Sequence, residues 1–108
     1  MVKVTVLYNI AAGASVEDFL TWRTTEHQRD NAARPGVLRT DFYVGRDLNG
    51  EPPRYRFITE SFYADMATLE GSFLTERSQA TIAQQVRDWQ LEDFTFIISE
   101  ERSSSAKG

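Results

Sequence analysis

The stretch VLRTDFYVGRDLNGEPPRYRFITESF, residues 37–62, decides the fold. Residues 37–46 and 55–62 are rich in β-branched and aromatic side chains and read as strands. Between them, Asp47-Leu48-Asn49-Gly50-Glu51-Pro52-Pro53 is turn chemistry with Asn-Gly at its centre, so the two strands should pair as an antiparallel hairpin with a longish loop. Upstream, Pro35-Gly36 stops a segment that opens at Ser15, a good N-cap followed by Glu17 and Asp18, where the helix dipole favours acids. One helix is expected over 15–34. Before it, Val2, Val4, Val6 and Tyr8 alternate with Lys3, Thr5 and Leu7, which predicts a first strand over 2–8. Downstream, Asp65 caps a short helix with the stripe Met66, Leu69 and Phe73, weakened near its end by Gly71. A further helix over 78–90 carries Ile82, Val86 and Trp89 on one face, and residues 92–99 form the last strand.

The order is β-α-β-β-α-β, with the second helical connection in two pieces. It implies an α+β, ferredoxin-like fold with a four-stranded antiparallel sheet and both connections on one face. A length of 108 residues suits a single domain, expected over 1–99, with the polar, Ser-rich residues 100–108 as a disordered tail. The strands carry apolar residues on both sides: Phe42 and Val44 oppose Val37 and Tyr43, Tyr55 and Phe57 oppose Ile58 and Phe62, and Phe94, Phe96 and Ile98 oppose Ile97. A sheet with one wet face should alternate more cleanly, although Arg39, Asp41, Thr59, Glu60 and Thr95 do interrupt the pattern. A second copy of the chain, joined as a homodimer through an isologous interface, is the simplest cover. A monomer with scattered surface aromatics is the alternative.

Composition removes several function classes. Twelve basic and sixteen acidic residues give a net charge of −4, which argues against a nucleic-acid or anionic-membrane surface. The apolar runs are too short to cross a bilayer, and the start, MVKVTVLY, has no signal-peptide pattern. Without cysteine there is no disulfide framework and no thiolate chemistry, and a cytoplasmic setting is expected. One histidine and no cysteine do not make a zinc or non-haem iron site, so no metal is expected. There is no Gly-rich phosphate loop and no Gly-x-Ser-x-Gly elbow.

The first helix carries the informative pattern. Val16, Phe19 and Leu20 define its buried stripe, but the stripe then meets Arg23, His27, Asp30 and Asn31, with Trp22 and Glu26 beside it. An inward polar group needs a partner or a watered cavity. The functional reading is a small-molecule pocket between helix and sheet, with His27 as acid/base group and Arg23 on a carbonyl or carboxylate oxygen. The plain alternative is a frayed helix end whose cations complement the dipole. Tyr8 and Asn9, Tyr43 and Asp41, and Glu60 are strand residues that could face such a pocket or simply pair across strands.

Phe19-x-x-Trp22, Glu26-His27, Pro35-Gly36 and the aromatic strand that follows resemble the EthD-like branch of the dimeric α/β-barrel superfamily. Asp65, the Met66/Leu69/Phe73 stripe and Arg87-Asp88-Trp89 fit the same template, and the chain is also similar to the REDY-like (HapK) proteins. The resemblance implies a homodimer whose two sheets face each other, with a cavity between sheet and helices in each protomer. It also implies a cofactor-independent cyclase, isomerase, decarboxylase or monooxygenase type of activity on a small hydrophobic carbonyl or phenolic metabolite, in secondary-metabolite biosynthesis. His27 matches the motif histidine, one residue further from Trp22 than is usual in that branch. On this reading His27 and Tyr43 are catalytic, and Tyr8, Phe19, Trp22, Arg23 and Glu60 bind the substrate, with no cofactor. A non-catalytic binding protein with the same cavity, or a haem-binding member using the one histidine, are the other readings.

Overall fold

The computed structural model describes residues 1–107. Strands β1 (Val2–Ile10), β2 (Arg39–Val44), β3 (Phe57–Tyr63) and β4 (Leu91–Glu100) form one antiparallel sheet in the order β2-β3-β1-β4. Helices α1 (Val16–Thr24) and α2 (Glu26–Ala32) link β1 to β2, and α3 (Met66–Ser72) and α4 (Glu76–Asp88) link β3 to β4. This is the expected ferredoxin-like α+β arrangement. The 37–62 hairpin forms as read: Leu48 and Glu51 exchange both backbone hydrogen bonds around Asn49 (φ 54°) and Gly50 (φ 79°), two left-handed residues that turn the chain back.

Several boundaries differ from the sequence reading. The helix expected over 15–34 is two helices, broken at Thr25 (φ −117°, ψ −90°). The cause is a threonine cluster. The hydroxyls of Thr21, Thr24 and Thr25 each donate to the carbonyl four residues back, those of Glu17, Leu20 and Thr21, and such back-bonding bends helices. Val16, placed by periodicity in the buried stripe, is exposed. The last helix begins earlier than expected because Thr75, whose hydroxyl accepts from the Ser78 N–H, is its N-cap. Glu100 belongs to β4; residues 101–107 form no helix or strand and are exposed, and Gly108 lies outside the described residues.

The helices cover one face of the sheet, and the core beneath them is in two parts. Val2, Val4, Tyr63, Leu69 and Phe73 form one cluster, joined by Val37, Met66, Ile82 and Ile98. Tyr8, Phe19 and Phe57 form the other, joined by Leu20, Trp22, Phe42, Trp89, Leu91 and Phe94. Val6 touches both. Between them the helix-facing side of β2 and β3 is polar: Thr40, Thr59 and Ser61 stand where a continuous core would have aliphatic residues, and the Thr40 and Ser61 hydroxyls are 3.0 Å apart.

Candidate functional site

The site is built on this polar seam. Arg23, on the last turn of α1, is 1 % exposed. Its Nη2 donates to Thr59 Oγ1 (3.0 Å), its Nη1 donates to Gln28 Oε1 (2.7 Å), and its guanidinium carbon lies 4.4 Å from the centre of the Phe42 ring. Gln28 in turn donates to the Thr40 carbonyl (3.0 Å), which pins α2 to β2. Arg23 Nε has no hydrogen-bond partner among the described residues. Every partner of this buried cation is neutral.

The break at Thr25 turns α2 so that His27 lies flat on Trp22, ring centres 4.3 Å apart and 16° from parallel, and Trp22 stacks in turn on Trp89 at 5.0 Å. Gln85, on α4, has its amide nitrogen 3.4 Å from His27 Nδ1. An amide N–H donating there leaves the imidazole proton on Nε2. Burial first, then the positive charges of Arg23 and Arg34, push the His27 pKa down to about 3. The ring is therefore neutral at physiological pH. Tyr8 is enclosed by aromatic rings, stacked on Phe57 (5.7 Å) and Phe94 (5.9 Å) with Phe19 edge-on (6.0 Å). Burial raises the pKa of its phenol, opposed by the charge of Arg23 and by Thr59 and Arg23 beside the hydroxyl. Tyr8 keeps its proton and can donate it in a hydrogen bond.

Tyr8, Phe19, Trp22, His27 and Gln85 line a cavity of about 60 Å³ between α1, α2, α4 and the sheet. Its walls are apolar (Val6, Phe19, Trp22, Phe73, Ile82 and Phe94 among them), and its polar groups are Tyr8, His27, Asn31, Arg34, Thr59 and Gln85. Arg34 Nη1 donates to Ser78 Oγ (3.1 Å) at the start of α4. The volume holds a few waters or the reacting end of a small ligand; a larger ligand enters only if the wall yields. The residues present do not fit a haem, because the cavity beside His27 is far too small for a macrocycle. Among the described residues no three His, Cys, Asp or Glu side chains gather as a metal site.

Tyr8, Phe19, Trp22 and His27, all expected at a site, are brought together here, with Arg23 behind Tyr8 and Thr59 rather than on the cavity wall. Tyr43 and Glu60 are not. Strand residues alternate sides, and Tyr43 lies between the helix-facing Phe42 and Val44, so it points to the uncovered face and is half exposed. Glu60 shares that outer face and pairs with Lys3. The expectation that either lines the pocket is corrected by the two-residue period of the sheet. Thr59, Arg34 and Gln85 went unselected by sequence reading, although Gln85 is a polar residue within the stripe of Ile82, Val86 and Trp89, the same signal that marked Arg23 and His27. Asn31 lay on the marked stripe, is buried, and lines the cavity.

No family model and no curated protein matches the chain. Solved structures do. An EthD-family protein from Bacillus halodurans superposes with a TM-score of 0.74 at 19 % identity, over 94 % of this chain and 98 % of that one. SnoaB from Streptomyces nogalater, a cofactor-independent oxygenase, gives 0.69 at 11 % identity over 98 % and 97 % of the two chains. HapK from Hahella chejuensis gives 0.61 at 16 % identity over the full length of both. At these identities the likeness is one of fold: the chain shares the ferredoxin-like architecture of EthD-family proteins and HapK. None of the helices of residues 1–107 is long and apolar enough to cross a membrane.

Proposed function

We propose that the chain is a cofactor-independent acid/base enzyme acting on a small apolar carbonyl or phenolic compound, and that it works as a homodimer. The observation that carries this reading is the make-up of the cavity: aromatic and aliphatic walls with one seam of hydrogen-bonding groups, a composition suited to holding an apolar molecule by its oxygen. Tyr8 donates a hydrogen bond to that oxygen. His27, neutral before substrate binds, accepts at Nδ1, once the substrate displaces the Gln85 amide from it, a proton from the carbon or hydroxyl next to it, and the electron pair left behind moves to the oxygen held by Tyr8. The resulting anion and imidazolium offset each other in the closed site. The fold it shares with a cofactor-independent oxygenase supports chemistry of this class without assigning it. The absence of cysteine supports a cytoplasmic setting, and the net charge of −4 supports a partner other than nucleic acid.

The strongly lowered pKa of His27 favours a second reading, a carrier that binds the same compounds and leaves them unchanged, because a weak base holds a proton poorly. Exchange of the α-protons of phenylacetone in D2O, followed by NMR, separates the two. The enzyme reading expects exchange above the buffer rate, cut by on the order of 10²–10⁴-fold in His27→Ala and in His27→Gln. Binding with exchange at the buffer rate would establish the carrier instead.

A further inference from the structure

The cavity carries charge of one sign. Arg34 is on its wall and Arg23 is directly behind it, while no Asp or Glu lines it. Among the described residues neither arginine has a carboxylate partner. The ion pairs among the described residues are Lys3 with Glu60, Arg39 with Asp41 and Arg56 with Asp47, all away from the cavity. Arg34 meets a serine hydroxyl, and Arg23 meets an amide oxygen, a threonine hydroxyl and the face of a phenyl ring. A guanidinium buried to 1 % exposure without a counter-charge is costly, and its Nε is left with no acceptor among the described residues. Thr59 and Tyr8, which touch both Arg23 and the cavity, are the route by which its charge reaches a ligand.

We infer that the ligand of this cavity is an oxygen anion, or becomes one there (a phenolate, an enolate or a carboxylate), and that Arg23 supplies its counter-charge from behind Tyr8 and Thr59. The inference rests on the reading that the cavity holds a small molecule. The same two cations that disfavour a protonated His27 are the ones an anion would satisfy. Tyr8 and His27 are the titratable groups on the cavity besides the arginines, and in their neutral forms neither opposes an anion.

The test uses 4-nitrophenol, which titrates near neutrality and absorbs differently as its phenolate, with 4-nitroanisole as a neutral analogue of the same shape. Binding of each is followed by the fluorescence of Trp22 and Trp89. In the unmodified protein the apparent pKa of bound 4-nitrophenol should fall by one unit or more, and 4-nitroanisole should bind at least tenfold more weakly where the phenol is ionised. Arg23→Gln should return the bound pKa toward that of free 4-nitrophenol; if that variant fails to fold, Arg34→Gln should reduce the shift. A bound pKa equal to or above the free value, or equal affinity for the two probes, would overturn the charge assignment and leave the cavity reading standing. If neither probe alters the fluorescence, the cavity reading falls and takes this inference with it.

Discussion

His27 and Arg23 sit in one aromatic surrounding and respond to it oppositely: the imidazole gives up its charge, whereas the guanidinium cannot. For His27 the linkage has a definite sign. Its folded-state pKa, about 3, lies below the ordinary value of 6.5, so between those limits the unfolded chain binds the extra proton. Stability contributed by the neutral ring is full above pH 6.5 and is lost as pH falls toward 3. Between pH 6.5 and 4 the loss has a ceiling of roughly 3 kcal/mol, at ~1.4 kcal/mol per pKa unit. Urea unfolding at pH 7 and pH 4 should show a smaller loss for His27→Gln than for the unmodified chain; equal losses would mean that His27 titrates normally. At this scale the sequence was legible where polarity contradicted periodicity. Arg23, His27 and Asn31 interrupt an apolar stripe and do converge, whereas strand residues such as Tyr43 and Glu60 could be assigned to a side only once the sheet's covered face was known.

Elements were legible in type and order because hairpin, caps and stripes agreed with one another. The break at Thr25 was missed because it depends on three hydroxyls competing for helix carbonyls, a local effect that hydrophobic periodicity does not register. It has a positional result: with the chain unwound there, His27 reaches Trp22 across five residues and stacks on it. The turn that ends this region is equally specific. Gly36 has φ +81°, and a Cβ there would lie 2.3 Å from Thr68 Cγ2 on α3. Gly36→Ala should therefore cost about 2–3 kcal/mol, from the left-handed backbone and the clash together. Adding Thr68→Ser removes the methyl while keeping a hydroxyl for Asp65, so it should recover about 1 kcal/mol and leave the backbone part. Thermal melts of the unmodified protein and the two variants check this; no recovery in the double variant would place the whole cost in the backbone.

For the whole molecule, the outer face of the sheet is the surface that matters. Tyr43 and Ile97 are half exposed on it, beside Leu7, Ile58 and Phe62. Lys3 with Glu60 and Arg39 with Asp41 pair there, with the Arg39 guanidinium 4.5 Å from the centre of the Phe62 ring. A second copy laid on this face would cover apolar area while these four charges stay matched. Sedimentation should accordingly return twice the 12.3 kDa chain mass, and Ile97→Lys should shift it toward the single chain by adding an unpaired cation. A single-chain mass for the unmodified protein at micromolar concentration would remove the dimer.

The division of the interior into two greasy halves meeting at a hydrophilic join has a bearing on how such a protein could diversify. Phe73 and Ile82 belong to one half and line the void, whereas Tyr8 belongs to the other half and Arg23 and Thr59 to the join. On the proposed function, trimming Phe73 and Ile82 would enlarge the space available to a guest and leave Tyr8 and Arg23 in place. Under that proposal, capacity and reactivity would be inherited on different residues, and selection could retune one with little change to the other.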